Sequence, residues 1–114
     1  MKTSLISKSI FEIIKAHSGP CLFNENGLEI KYEDLAKNIE MIGTQLSSLD
    51  MKNNNICALV LPNGIDMAVS FLALANFVTV SPLNPNYTKE EFLFFLQDLD
   101  CEFIIADNNA SNTL

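Results

Sequence analysis

The chain has 114 residues, of which 48% are hydrophobic and 18% charged, and a formal net charge of −7. That balance supports an apolar core and a single domain spanning residues 1–114, or part of a larger one. Its 7 Lys and Arg are scattered and build no basic patch, which argues against a nucleic-acid-binding surface.

The spacing predicts a first helix over residues 10–17. Ser9 and Glu12 fit a capping box, Ile10, Phe11, Ile13 and Ile14 supply an apolar face, and Gly19-Pro20 ends it. Lys8, Glu12 and Lys15 interrupt this stretch, so it does not read as a signal peptide. Residues 21–23 and 28–30 read as two short strands. The turn between them contains Asn26-Gly27, a pair that takes positive φ at low cost. Leu35, Ile39, Ile42 and Leu46 then recur at helical spacing, which predicts a helix over residues 32–49 with Glu33 and Asp34 at its positive end. Asp50 and Asn53 to Asn55 form a polar break.

The rhythm changes at Ile56. The apolar run 56–61 suits a parallel strand buried on both faces. Asn63 is placed to cap a helix over residues 65–76. Residues 77–80 read as a second strand, and Pro82-Leu83-Asn84-Pro85 as a rigid turn rather than a PxxP ligand. Thr88 and Glu91 make another capping box, opening a helix that runs to Leu99, and residues 103–106 form a third strand. The polar tail from Asp107 carries no helical pattern. The expected fold is therefore α/β: a short β-hairpin with helices, followed by a β-α-β-α-β unit with parallel strands and right-handed crossovers. Open sheet edges, and a helix crowded by Phe92, Phe94, Phe95 and Leu96, point to a covering partner or to self-association.

Bland readings outweigh sharp ones at the individual residues. Cys21, Cys57 and Cys101 are far apart in sequence and read as buried thiols of a reducing, cytoplasmic protein, without a disulfide framework or a zinc site. His17, the single histidine, sits at a helix end with no triad partners. Glu90-Glu91 and Asp98-Asp100 read as helix-end and solvated charge rather than acid–base or metal pairs, and the phenylalanines as packing rather than an acyl pocket. The region 67–83 is interrupted by Ser70, Asn76, Thr79, Ser81 and Pro82 and is too polar to span a membrane.

Three motifs in order carry a resemblance: Tyr32-Glu33-Asp34-Leu35 with its apolar stripe, Leu61-Pro62-Asn63 after the apolar strand, and Pro82-Leu83-Asn84-Pro85 followed by Tyr87-Thr88 and Glu90-Glu91. Together they resemble the N-terminal part of the AMP-forming acyl-CoA synthetases, the adenylate-forming ligase superfamily, nearest to the oxalate–CoA ligase and 4-coumarate–CoA ligase-like branch. Lys31 stands where the family has a capping Thr, Asn54-Asn55 where it has Gly-Asp, and Phe77 where a small residue is common. The resemblance implies ligase chemistry of carboxylic-acid and fatty-acid metabolism with ATP, Mg²⁺ and coenzyme A as the full-length family's requirements. It also implies a Gly-rich phosphate loop with a lysine, an acidic residue for the ribose and a lysine on a mobile domain. Gly19, Gly27, Gly43 and Gly64 are scattered, and Leu114 is reached before any such loop. The sequence thus assigns no catalytic, cofactor-binding or metal-ligating residue. It reads as an N-terminal fragment inactive alone, or as an interaction module or split subunit pairing with a separately encoded remainder of the ligase. Whether the chain is itself an enzyme stays open. A receiver or flavodoxin-like domain fits less well, because the first strong strand ends in Leu61-Pro62-Asn63 and no phosphate loop follows.

Overall fold

A computed structural model describes residues 10–50 and 55–107. Residues 10–15 are helical (α1). Ser9 lies outside the described residues, as do Asn53, Asn54 and residues 108–114, so the first capping box and most of the polar tail do too.

Strands β1 (Pro20–Phe23) and β2 (Glu29–Lys31) form an antiparallel hairpin. Its turn is organised by Asn24, whose Oδ1 accepts from the amides of Asn26 and Leu28, both at 2.9 Å. Of the expected Asn26-Gly27 pair only Gly27 adopts positive φ, at 85°. The side chain of Asn24, acting as an Asx turn, does what the tight two-residue turn was expected to do.

Helix α2 (Tyr32–Ser48) buries Leu35, Ile39 and Leu46 as the stripe requires. Lys31 at its N-cap has no acceptor to offer. Asp34 compensates in part, its Oδ2 accepting from the Lys31 amide at 3.4 Å, and Glu33 Oε1 accepts from the Gly19 amide at 3.1 Å. The helix leaves through Asp50 in the left-handed region (φ 60°).

Strand β3 (Ile56–Val60) lies at the centre of a three-stranded parallel sheet, in the order β4-β3-β5, with β4 at Thr79–Pro82 and β5 at Phe103–Ala106. Cys57, Ala58, Leu59 and Val60 are fully buried, so both faces of β3 are covered. Helix α3 (Ile65–Leu74) follows β3, and α4 (Lys89–Leu99) follows β4. On one face Cys57, Leu59, Val80, Phe103 and Ile105 pack beneath α2 and α3 through Leu46 and Leu74. On the other, Ala58, Val60 and Ala106 lie under α4 with Phe92, Phe95, Leu96 and Leu99. The hairpin and α1 close the outer side of α2 and α3 around Ile14, Leu35, Ile39 and Ala73.

Two expectations are corrected. The second strand is Thr79–Pro82, not residues 77–80. After α3 the chain makes a further turn, in which the Phe77 and Val78 amides both donate to the Leu74 carbonyl and Asn76 Nδ2 donates to Leu72 O at 2.7 Å. Pro82 fits in β4 because β4 is an edge strand. The amides of Thr79 and Leu83 donate inward to Asn55 and Leu59, so the alternate positions, Val80 and Pro82, face away from β3. Asn63 does not cap α3: the N-cap is Gly64, with φ 149° and no side-chain hydrogen bond. The Gly64 φ is one that side-chain-bearing residues rarely adopt.

Candidate functional site

The parallel strands all present their carboxyl ends to one side of the sheet. Three loops meet there: Leu61-Pro62-Asn63 after β3, Leu83 to Tyr87 after β4, and Asp107 after β5. Between them lies an open cleft of about 850 Å³, also lined by Met67 from α3. Ligands of open α/β sheets bind at this position. The β4 loop is self-supporting, because Asn84 Oδ1 accepts from the Asn86 amide at 2.9 Å and the Asn84 carbonyl from the Tyr87 amide at 3.2 Å. Tyr87 is held by stacking on Phe95 (ring centroids 4.9 Å apart) and edge-on by Phe92 at 5.6 Å. The cleft is thus walled by asparagine amides, prolines and one carboxylate. It presents hydrogen-bonding groups but no cation among its lining residues.

The residues weighed from sequence fall elsewhere. Glu91 is consumed by the cap of α4: its Oε1 accepts from the Thr88 amide at 2.9 Å while its own amide donates to Thr88 Oγ1 at 3.2 Å. Asp100 closes the same helix in the left-handed region (φ 51°), and Asp98 is solvent-exposed. His17 Nδ1 lies 2.7 Å from the Ile13 carbonyl, and its ring packs 5.2 Å from that of Tyr32, which fixes the end of α1. Phe92 is core, Phe95 half-buried against Tyr87, and Phe94 exposed.

The three thiols are free. Burial, with a smaller contribution from Cys101, pushes the Cys57 thiol up to about 11. Burial also raises Cys101. Both changes disfavour the nucleophilic thiolate. Among the described residues no three His, Cys, Asp or Glu side chains converge to hold a metal ion, and no helix is long and apolar enough to cross a membrane. A triphosphate calls for cationic groups that offset its charge, and the lining residues of the cleft include no Lys or Arg.

Sequence reasoning missed the cleft. Its three walls lie about twenty residues apart in the chain and meet only through the strand order, and the sole local signal was the proline–asparagine composition of two of the loops.

Comparison with known proteins agrees with this architecture. Oxalate–CoA ligase of Arabidopsis thaliana is 33% identical over 75 residues, which is 64% of this chain and 15% of that protein. 4-Coumarate–CoA ligase 4 of the same plant is 35% identical over 66 residues, covering 57% of this chain and 12% of the relative. The chain thus spans about a seventh or less of the length of these relatives. Among solved structures, the N-terminal subdomain of Klebsiella oxytoca NpsA, in complex with 3-hydroxybenzoyl-AMSN, superposes with a TM-score of 0.81. The identity is 18%, and the match covers 93% of this chain and 27% of that one. The fold is therefore that of N-terminal subdomains of adenylate-forming enzymes. The AMP-binding enzyme family matches residues 15–114, and the chain belongs to that family.

Proposed function

We propose that the chain forms the opening layer of the large domain of an ATP-dependent acid–CoA ligase. In the complete reaction a carboxylate attacks the α-phosphate of Mg·ATP, giving an acyl-adenylate and pyrophosphate. The thiol of coenzyme A then attacks the acyl carbon and releases AMP. This chain contributes scaffold rather than chemistry: its part is to hold β3, β4 and β5 in register and to present the cleft loops to the rest of the domain. By itself it does not activate a carboxylate. Its setting is the cytoplasm, where three unpaired thiols stay reduced.

The observation that carries the reading is the family match over residues 15–114, in register with a β4-β3-β5 sheet. Two assays test it. Purified chain incubated with Mg·ATP and oxalate or 4-coumarate should release no AMP, and AMP formation above background would overturn the inactivity of the isolated chain. Grafted in place of the matching segment of 4-coumarate–CoA ligase 4, the chain should preserve thioester formation. A soluble chimera that makes none would overturn the scaffold role.

A further inference from the structure

Three asparagines wall the cleft, and the residue that follows each sets them apart. The side-chain amide of an asparagine is open to attack by the next backbone nitrogen. That nitrogen must carry a hydrogen, and its residue must leave room for a five-membered ring to close. Asn84 precedes Pro85, which has no N–H. Asn86 precedes Tyr87, whose side chain crowds the nitrogen and whose amide donates to the Asn84 carbonyl at 3.2 Å. Asn63 precedes Gly64. Both of these residues are exposed, and nothing lies within 4 Å of where a Gly64 Cβ would stand. Among the described residues, neither the Asn63 side chain nor the Gly64 amide has a hydrogen-bond partner in the protein. The chain's other Asn-Gly pair, Asn26-Gly27, is exposed too, but it is held. The Gly27 amide donates to the Asn24 carbonyl at 3.2 Å, and the Asn26 amide to Asn24 Oδ1 at 2.9 Å.

We propose that Asn63 is a site of spontaneous deamidation, with water as the co-reactant. The Gly64 nitrogen gives its proton to solvent base and bonds to Asn63 Cγ, while the side-chain nitrogen takes a proton from water and leaves as ammonia. Water then opens the resulting succinimide at one carbonyl or the other, giving an aspartyl or an isoaspartyl residue at position 63. Nothing is oxidised or reduced. The product adds a second carboxylate to a cleft whose lining residues now include one, Asp107. The isoaspartyl form also lengthens the main chain between β3 and α3 by a methylene. At Asn26-Gly27 the attacking nitrogen must first leave the Asn24 carbonyl, which slows that pair by about fivefold, the factor of one net hydrogen bond. This chemistry belongs to the folded chain and does not depend on its role in a ligase.

Ageing the purified chain in mildly alkaline buffer, followed by peptide mass mapping, tests the site. In the folded chain Asn63 should convert first, at least about fivefold faster than Asn26, and in concentrated urea the two rates should draw together. Conversion of Asn26 as fast as that of Asn63 in the folded chain overturns the proposal. So does a rate ratio that urea leaves unchanged, because the flanking sequence would then set it rather than the fold. A folded chain that keeps Asn63 intact while the urea-unfolded chain deamidates at both pairs overturns it as well. Methyl transfer to the aged chain by an isoaspartyl-specific methyltransferase gives a second readout. Asn63→Gln should remove most of the methyl acceptor and Asn26→Gln little of it, and the opposite order would assign the fast site to the hairpin.

Discussion

The two faces of the parallel sheet are built from alternate residues of the same strands and solve the packing problem differently. Toward α2 and α3, β3 offers Cys57 and Leu59, and the space between the helices is filled by large side chains. Phe77 reaches across from the turn after α3 and rests on Gly43 of α2, where a Cβ would lie 2.6 Å from the ring. Toward α4, the strands offer Ala58 and Ala106, and one helix comes down onto them through Phe92. The first face is held by many contacts shared between two helices. The second is covered by a single helix, whose one fully buried ring is Phe92. Interlocked cover should therefore respond to added volume, and single cover to lost volume.

The largest effect should come from removing that ring. Phe92→Ala deletes a 1%-exposed phenyl group and its edge contact with Tyr87, and should cost about 3–5 kcal/mol in denaturant unfolding. A loss under about 1 kcal/mol would mean that α4 is not seated through Phe92, and the contrast would fail. The crowded face should show the opposite sensitivity. Gly43→Ala forces the Phe77 ring to shift and should cost about 1–3 kcal/mol, and adding Phe77→Leu should recover part of the loss. Strict additivity of the two changes would show that they do not share a space.

The helix entries sharpen the comparison further. Thr88→Ala removes the acceptor for the Glu91 amide and should cost about 1 kcal/mol. Asn63→Ala, at the entry to α3 where no side chain caps, should stay within about 0.5 kcal/mol. The smallest effect at neutral pH is that of Cys57. Its thiol ionises near 11 in the folded chain against 9.0 for the ordinary group, so the folded state holds its proton longer. Stability should therefore be level below about pH 9, as far as Cys57 is concerned, and fall between pH 9 and 11. Cys57→Ala should flatten that part of the pH–stability curve, and an unchanged slope would remove Cys57 as its source.

Much of this architecture was legible in the chain because the signals were redundant. The α2 stripe, the doubly buried run of β3 and the Thr88–Glu91 box each combine burial period with a terminal signal, and each formed where expected. The failures fall where one local signal competed with another. Asn63 has a capping side chain, but Gly64 beside it takes a backbone conformation that makes Gly64 the first cap. Phe77-Val78-Thr79-Val80 has the β-branched and aromatic composition of a strand. Yet the Leu74 carbonyl holds Phe77 and Val78 in a turn, and pairing with Asn55 and Leu59 sets the start and end of β4. The cleft was illegible for a different reason: no stretch of sequence contains it, and only the placing of β3 between β4 and β5 brings its loops together.

The proline at the end of β4 has a consequence for how copies of this chain behave at high concentration. Since Pro82 occupies an outward-facing position and has no amide hydrogen, that margin of the sheet is a poor template for a newcomer strand. Polymerisation by strand addition needs two receptive margins, one to join and one to be joined. In the parallel sheet the β4 margin fails that requirement at Pro82.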